Sequence, residues 1–373
     1  MKIERIDLYQ IALPYVHPFE TSFGLEREHH AILVAVRADG LTGWGEAPVS
    51  TRPAYSYETT VTAWHVLRDF LAPALLGQPL ETVEGLLPFL RPVRGHPMAK
   101  AALEAALWDL LARREGLPLA RLLGGVRDRV EVGVSIGIQE SLPHLLARIE
   151  AFREAGYRRI KLKIKPGWDV GVIRAVREQF PDIPLMVDAN AAYTLADADR
   201  LRALDDFDLL MIEQPLSYDD LVDHARLQAR LRTPLCLDES ITSPAQARCA
   251  LELDACRIIN IKQARVGGLT AALQIHDLCR SRGVPVWCGG LLETGVGRAL
   301  NVALATLPGF TLPGDLSATA RYFRRDIALP PFELNTEDST LTVPSGPGLG
   351  VEVDEGRLSE VTRRRETLDG TTA

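Results

Sequence analysis

Five polar residues recur at an almost constant interval: Lys163, Asp188, Glu213, Asp238 and Lys262, separated by 25, 25, 25 and 24 residues. Each sits at the end of a short apolar run, in the series Lys161-Leu162-Lys163, Asp188-Ala189-Asn190, Glu213-Gln214-Pro215, Asp238-Glu239-Ser240 and Asn260-Ile261-Lys262. Three carboxylates converging from neighbouring runs repel one another and resist ionising unless a cation joins them. A hard divalent ion such as Mg²⁺, which takes oxygen ligands, answers that need. Lysine is otherwise scarce, with six among the 42 basic residues, three of them at positions 161, 163 and 165. Arginine keeps its proton at neutral pH whereas lysine can be tuned to release one, so retained lysines beside an acid row suit proton transfer. The plainer alternative, lysines kept on a solvated strand end and acids capping helices, is weakest where all five groups fall in register.

The interval matches one βα unit, so the five groups belong to consecutive strands. Strands are expected at 130–137, 159–164, 185–190, 209–214, 235–239, 257–262, 285–290 and 310–315, with seven amphipathic helical segments between them. Eight strands alternating with helices suit a closed parallel barrel, whose active sites lie at the C-terminal ends of the strands. Side chains alternate along a strand, so Met186 with Asp188, Met211 with Glu213, Cys236 with Asp238 and Asn260 with Lys262 share the inner face. The alternation favours Asp238 over Glu239 as the inward acid. Second and sixth strands lie across such a barrel, which sets Lys163 and Lys262 on opposite flanks of the acids. A divalent ion stabilises the two negative charges of an enediolate, and a lysine of lowered pKa can take the proton next to a carboxylate. Lys161 and Arg265 are candidates for that tuning, and Arg265 is equally readable as a plain ion-pair partner.

Residues 1–125 read differently, as an α+β region. Strands are expected at 3–14, 31–38 and 41–46, the last two joined across Asp39-Gly40, followed by helices at 55–76 and 98–115. Residues 126–320 form the barrel region, and 321–373 a tail whose pieces 339–343 and 350–353 are expected to return to the first domain. The 373 residues suit two domains, and the formal net charge of −7 argues against a general nucleic-acid or membrane-surface binder. No signal-peptide core and no spanning apolar run is read, and the five cysteines are scattered, as expected of reduced thiols in a cytoplasmic protein.

The quoted series resembles the muconate-lactonizing-enzyme subgroup of the enolase superfamily across essentially the whole chain. The resemblance implies a modified TIM barrel, (β/α)₇β, with an α+β capping domain. It also implies Mg²⁺ (or Mn²⁺ or another divalent ion) on Asp188, Glu213 and Asp238, acid/base lysines at 163 and 262, and Lys161, Asn190, Glu239 and Arg265 as supporting residues. A mandelate-racemase-like pattern would need a histidine on strand seven, where Trp287-Cys288-Gly289-Gly290 supplies none. The segments Arg158–Asp169, Lys262–Gly268 and Trp287–Arg298 look like o-succinylbenzoate synthases that also racemise N-acylamino acids. Dipeptide epimerases carry Asp-x-Asp after strand eight, and Asp315-Leu316-Ser317 lacks the second acid; muconate cycloisomerase is the other alternative within the subgroup. A degenerate barrel kept as a ligand-binding protein is the alternative outside enzymes.

The expected substrate is a small carboxylate, with homo-oligomers usual in the resembled family. Substrate contacts are expected from Phe19, Phe23 and Tyr55 in capping loops 19–24 and 50–55, from Ser135 on strand one, and from Gly290, Leu291 and Glu293 after strand seven. The aromatic three are also readable as ordinary packing residues. His29-His30 reads as a structural polar contact ahead of a capping-domain strand.

Overall fold

The computed structural model describes residues 1–370. A seven-stranded, all-parallel sheet forms the barrel wall, running in chain order from Gly133–Ile136 through Arg159–Lys163, Leu185–Asp188, Ile212–Glu213, Leu235–Leu237 and Ile258–Ile261 to Val286–Cys288. The strands are shorter than the apolar runs because each chain turns away just beyond its polar end.

The expected eighth strand is not a regular one. Pro313 has no N–H to give a ladder, so segment 310–315 closes the wall through scattered bonds. Thr311 N and Asp315 N donate to Val286 O and Cys288 O on one side, while Gly133 N donates to Gly314 O on the other. The result is a modified TIM barrel, (β/α)₇β, with an α+β cap.

Alternation along the strands sorts the side chains as expected. Met186, Met211, Cys236, Ile258 and Trp287 make a small apolar plug inside the barrel. Val187, Ile212, Leu237 and Ile261 join the larger core under the outer helices. The plug is the floor on which the polar strand ends stand.

In the cap, four antiparallel strands are ordered Thr362–Asp369, Arg5–Thr21, Gly24–Ala38, Leu41–Ala47. Two expectations change here. The tail pieces near 340 and 352 do not join this sheet: Thr340–Thr342 pairs with Arg129–Glu131 below the barrel, and Glu352–Val353 with Ala328–Leu329. The returning strand is Thr362–Asp369, whose Arg-Arg-Arg-Glu run hides it from any apolar-periodicity test. The segment 19–24 is not an open loop either. The first two strands continue to Thr21 and from Gly24, leaving a tight tip at Ser22-Phe23.

The cap lies directly on the barrel mouth. Helix Pro97–Arg114 packs against strand Leu41–Ala47, where a Cβ on Gly43 or Gly45 would lie 2.0 or 1.9 Å from backbone oxygens of Ala106 and Ala102. The other side of that helix meets the segment after Lys262, with Glu104 accepting from Thr270 N at 3.3 Å. The hairpin tip reaches the barrel through Ser22 Oγ, which donates to Asn190 O at 3.0 Å, and Glu20 O, which accepts from Ile138 N at 3.0 Å. His29 is the expected structural contact, bonded at 2.7 Å to buried Glu46. The five cysteines are free thiols, and no helix among the described residues is long and apolar enough to cross a membrane.

Candidate active site

At the strand ends the chain brings three carboxylates and three amines into one buried row. Lys163 Nζ, from the second barrel strand, lies 2.6 Å from Asp188 Oδ2 and 2.7 Å from Asn190 Oδ1. Lys262, just past the sixth, lies 2.7 Å from Asp238 Oδ2. The strands carrying the acids stand between those two, so the amines occupy opposite ends of the row. Lys161 lies deeper, bonded to Glu213 Oε2 at 3.1 Å and paired with Asp188 at 3.3 Å and Asp315 at 2.8 Å. Its ammonium also sits 5.0 Å from the centroid of the Trp287 ring, on the apolar plug.

Several features hold the acids in place. Asn260 Nδ2 donates to Glu213 Oε1 at 2.7 Å. Gln214 Oε1 accepts from the backbone N–H of Asp238 at 3.0 Å and of Ser240 at 3.2 Å, tying the fourth strand end to the fifth. The backbone bends immediately after two of the acids, with Asn190, Ala191 and Gln214 at φ of 42°, 61° and 37°. Side-chain-bearing residues rarely adopt that left-handed conformation, and strain of this kind gathers where geometry is over-determined.

Electrostatics distinguishes the acids. Burial, then repulsion from Asp188, pushes the Glu213 carboxyl up to about 8. Asp238 is also buried, yet Lys262 and Arg265 hold it well below the usual carboxylate range. Glu239 is pushed up to about 7 by burial and by Asp238, and it accepts from Asn190 Nδ2 at 2.9 Å instead of facing the row. Among the described residues no group of three or more His, Cys, Asp or Glu side chains stands preformed as an ion cage, and the lysines pair with the carboxylate oxygens. The donor set nonetheless fits a hard divalent ion: three buried carboxylates from adjacent strands, with Glu213 made reluctant to ionise by burial and then by Asp188.

Burial opposes the charge of Lys262, but Asp238, then Tyr55 and Glu213, more than compensate and raise the pKa of its amine. Arg265 does not touch Lys262; it donates to Asp238 Oδ1 and, through Nε, to Ile241 O at 2.7 Å. Arg265 is thus an ion-pair partner of Asp238.

The substrate-facing expectations divide. Phe19, Phe23, Tyr55, Ser135, Gly290 and Leu291 line the cavity above the row. Glu293 does not. It is buried behind Gly290, accepting from Asn301 Nδ2 at 2.9 Å. Tyr55 is more than an apolar wall: its hydroxyl donates to Asp238 Oδ1 at 2.8 Å and accepts from Lys262 at 3.1 Å. Nothing in the sequence marks that contact, which joins residues 183 positions apart. Asp315 was readable only as half of an absent Asp-x-Asp; strand parity at position 315 could have marked it as the partner of Lys161.

Gly289 makes room for Lys262. A Cβ there would lie 2.7 Å from Lys262 Cε and 2.3 Å from Asn260 Oδ1. Gly289→Ala is expected to lower turnover about 10²-fold by displacing the amine, with the fold retained. Unchanged α-proton exchange in that variant would show that Lys262 is not held where this contact puts it.

A barrel with acids on its third, fourth and fifth strands, amines on its second and sixth, and a cap over the mouth defines an enzyme of the enolase superfamily. Two family descriptions match: "Mandelate racemase / muconate lactonizing enzyme, N-terminal domain" over residues 5–124, and "Enolase C-terminal domain-like" over 144–357. The chain belongs to the mandelate racemase / muconate lactonizing enzyme family. It is 55% identical over 364 residues to an o-succinylbenzoate synthase of Geobacillus stearothermophilus, covering 97% of this chain and 96% of that one. It is 49% identical to an N-succinylamino acid racemase of Thermus thermophilus, covering 97% and 98%. The crystal structure of an enolase-superfamily member from Listeria innocua superposes with a TM-score of 0.95 at 40% identity, covering 99% of each chain.

Proposed function

We propose that the enzyme abstracts a proton from the carbon next to a carboxylate, through an enediolate, acting as an o-succinylbenzoate synthase and as an N-succinylamino acid racemase. The observation that carries this reading is the pair of amines, Lys163 and Lys262, at opposite ends of the carboxylate row. A pure binding barrel has no need for two opposed proton carriers. Similarity to relatives bearing both names supports the two activities together.

Asp188, Glu213 and Asp238 are proposed to hold Mg²⁺, which when bound supplies positive charge opposite the substrate carboxylate and so acidifies the adjacent carbon. Lys163 takes the proton on one face, and its contacts with Asp188 and Asn190 fix the position of its nitrogen. Lys262 faces the other side, with Tyr55 and Asp238 orienting it. In racemisation one amine removes the proton and the other returns one. In the syn dehydration Lys163 does both jobs, while Lys262 remains charged and stabilises the developing anion. We propose residues 1–125 with the returning tail as the cap, which excludes water from the row, and 126–320 as the catalytic barrel. Family resemblance further leads us to propose a cytoplasmic homo-oligomer acting in menaquinone biosynthesis or amino acid metabolism.

The test is direct. With Mg²⁺ in deuterated buffer, an N-succinylamino acid is expected to lose its α-proton signal by NMR, and the o-succinylbenzoate precursor to dehydrate. Neither reaction occurring would end the proposal.

A further inference from the structure

Opposite the acid row, the cavity ends at two buried hydrogen-bond donors with nothing to bond. The hydroxyl of Ser135, at the end of the first barrel strand, is buried without a partner, and so is Nε of Arg321. The two are linked, since Arg321 Nη2 donates to Ser135 O at 3.0 Å. A single aromatic ring separates this corner from the reacting amine. The Phe19 centroid lies 6.0 Å from Lys163 Nζ and 6.0 Å from the Arg321 guanidinium carbon.

Beyond Phe19 the cavity continues as a groove reached by Arg321 and Arg148. Both guanidinium carbons lie 5.1 Å from the Phe152 centroid, so two like charges share one ring. Neither has a carboxylate partner among the described residues. The two acids that line the groove are already engaged, Glu20 by Lys165 at 3.2 Å and Glu140 by His144 at 3.7 Å. In a chain of net charge −7, two adjacent arginines without a counter-charge, beside two orphaned donors, describe a seat for an anion. Planar guanidiniums beside an aromatic ring are also well suited to a planar carboxylate.

We infer that Arg321 and Arg148 bind the distal carboxylate of a dicarboxylic acyl group, passing beside Phe19 while the α-carbon stays between Lys163 and Lys262. This rests on the functional reading above and adds to it a source of selectivity: N-succinyl substrates over neutral N-acyl ones. The acid row cannot supply that preference, because it meets only the α-carboxylate end.

The experiment compares N-succinyl- and N-acetyl-phenylalanine with the Mg²⁺-loaded enzyme, by α-deuterium exchange and by calorimetric binding. Arg148→Gln and Arg321→Met are each expected to raise KM for the succinyl substrate about tenfold, with kcat and the acetyl substrate little changed. Arg321→Lys should recover part of the loss. Arg148 is half-buried on helix Leu142–Glu154, so its variant tests the idea even if Arg321→Met does not fold. Equal binding of the two substrates by the unaltered enzyme, or parallel loss of both in the variants, would overturn the subsite. Preferential succinyl binding without exchange of either substrate would overturn the functional reading and uphold the subsite.

Discussion

Lys163→Ala and Lys262→Ala are each expected to lose racemase turnover by at least about 10³-fold, since each amine serves one face of the α-carbon and neither can replace the other. The losses should differ in kind. With one amine left, α-deuterium exchange should persist from one enantiomer only, and the retained enantiomer should be opposite in the two variants. Lys262→Arg sharpens the comparison. Arginine keeps the charge that Asp238 pairs with but does not release its proton at neutral pH. Racemisation should vanish in this variant, while syn dehydration, which asks position 262 only for a cation, should fall far less. Chiral chromatography and NMR exchange with each enantiomer read these outcomes. Full racemisation in any of the three proteins would remove that lysine from the mechanism.

A comparable loss is expected from Asp238→Asn, for two reasons that can be separated. Asp238 accepts from Tyr55 and Arg265 through one oxygen and from Lys262 through the other, all out of water. Neutralising it leaves two buried cations against an amide, a change that typically costs about 3–5 kcal/mol. It also removes one of the three proposed Mg²⁺ ligands. Melting of the metal-free protein should therefore fall, and a Mg²⁺ titration should show weaker binding with turnover reduced at least about 10³-fold. Chelation of the unaltered protein should abolish turnover without lowering its melting point below that of the metal-free state. An Asp238→Asn protein with normal melting and normal turnover would contradict both arguments.

The row of acids and amines is legible in sequence because strand alternation and an almost constant βα length act locally and repeat. Asp188, Glu213 and Asp238 follow from position in the strand alone, as do the apolar partners Met186, Met211 and Cys236 on the same face. What escaped was set by distant chain. Tyr55 reaches Asp238 because the cap lies on the mouth, and no residue near position 55 carries that information. Strand Thr362–Asp369 is an edge strand whose arginines cover rings of the cap, Arg364 over Trp64 and Arg365 over Tyr9, so it shows no period-two apolar pattern. The burial of Glu293 against Asn301 is likewise set by a helix further along the chain.

The pairing of Arg5 with Asp369 brings opposite ends of the described chain side by side. During synthesis the ribosome must therefore deliver the entire barrel before the cap's outer strand can be laid down. Until then the first strand waits with an unsatisfied edge, the surface most open to pairing with another nascent chain. Solubility during expression should accordingly be more sensitive to truncation after residue 361 than the few apolar contacts of that last strand would suggest.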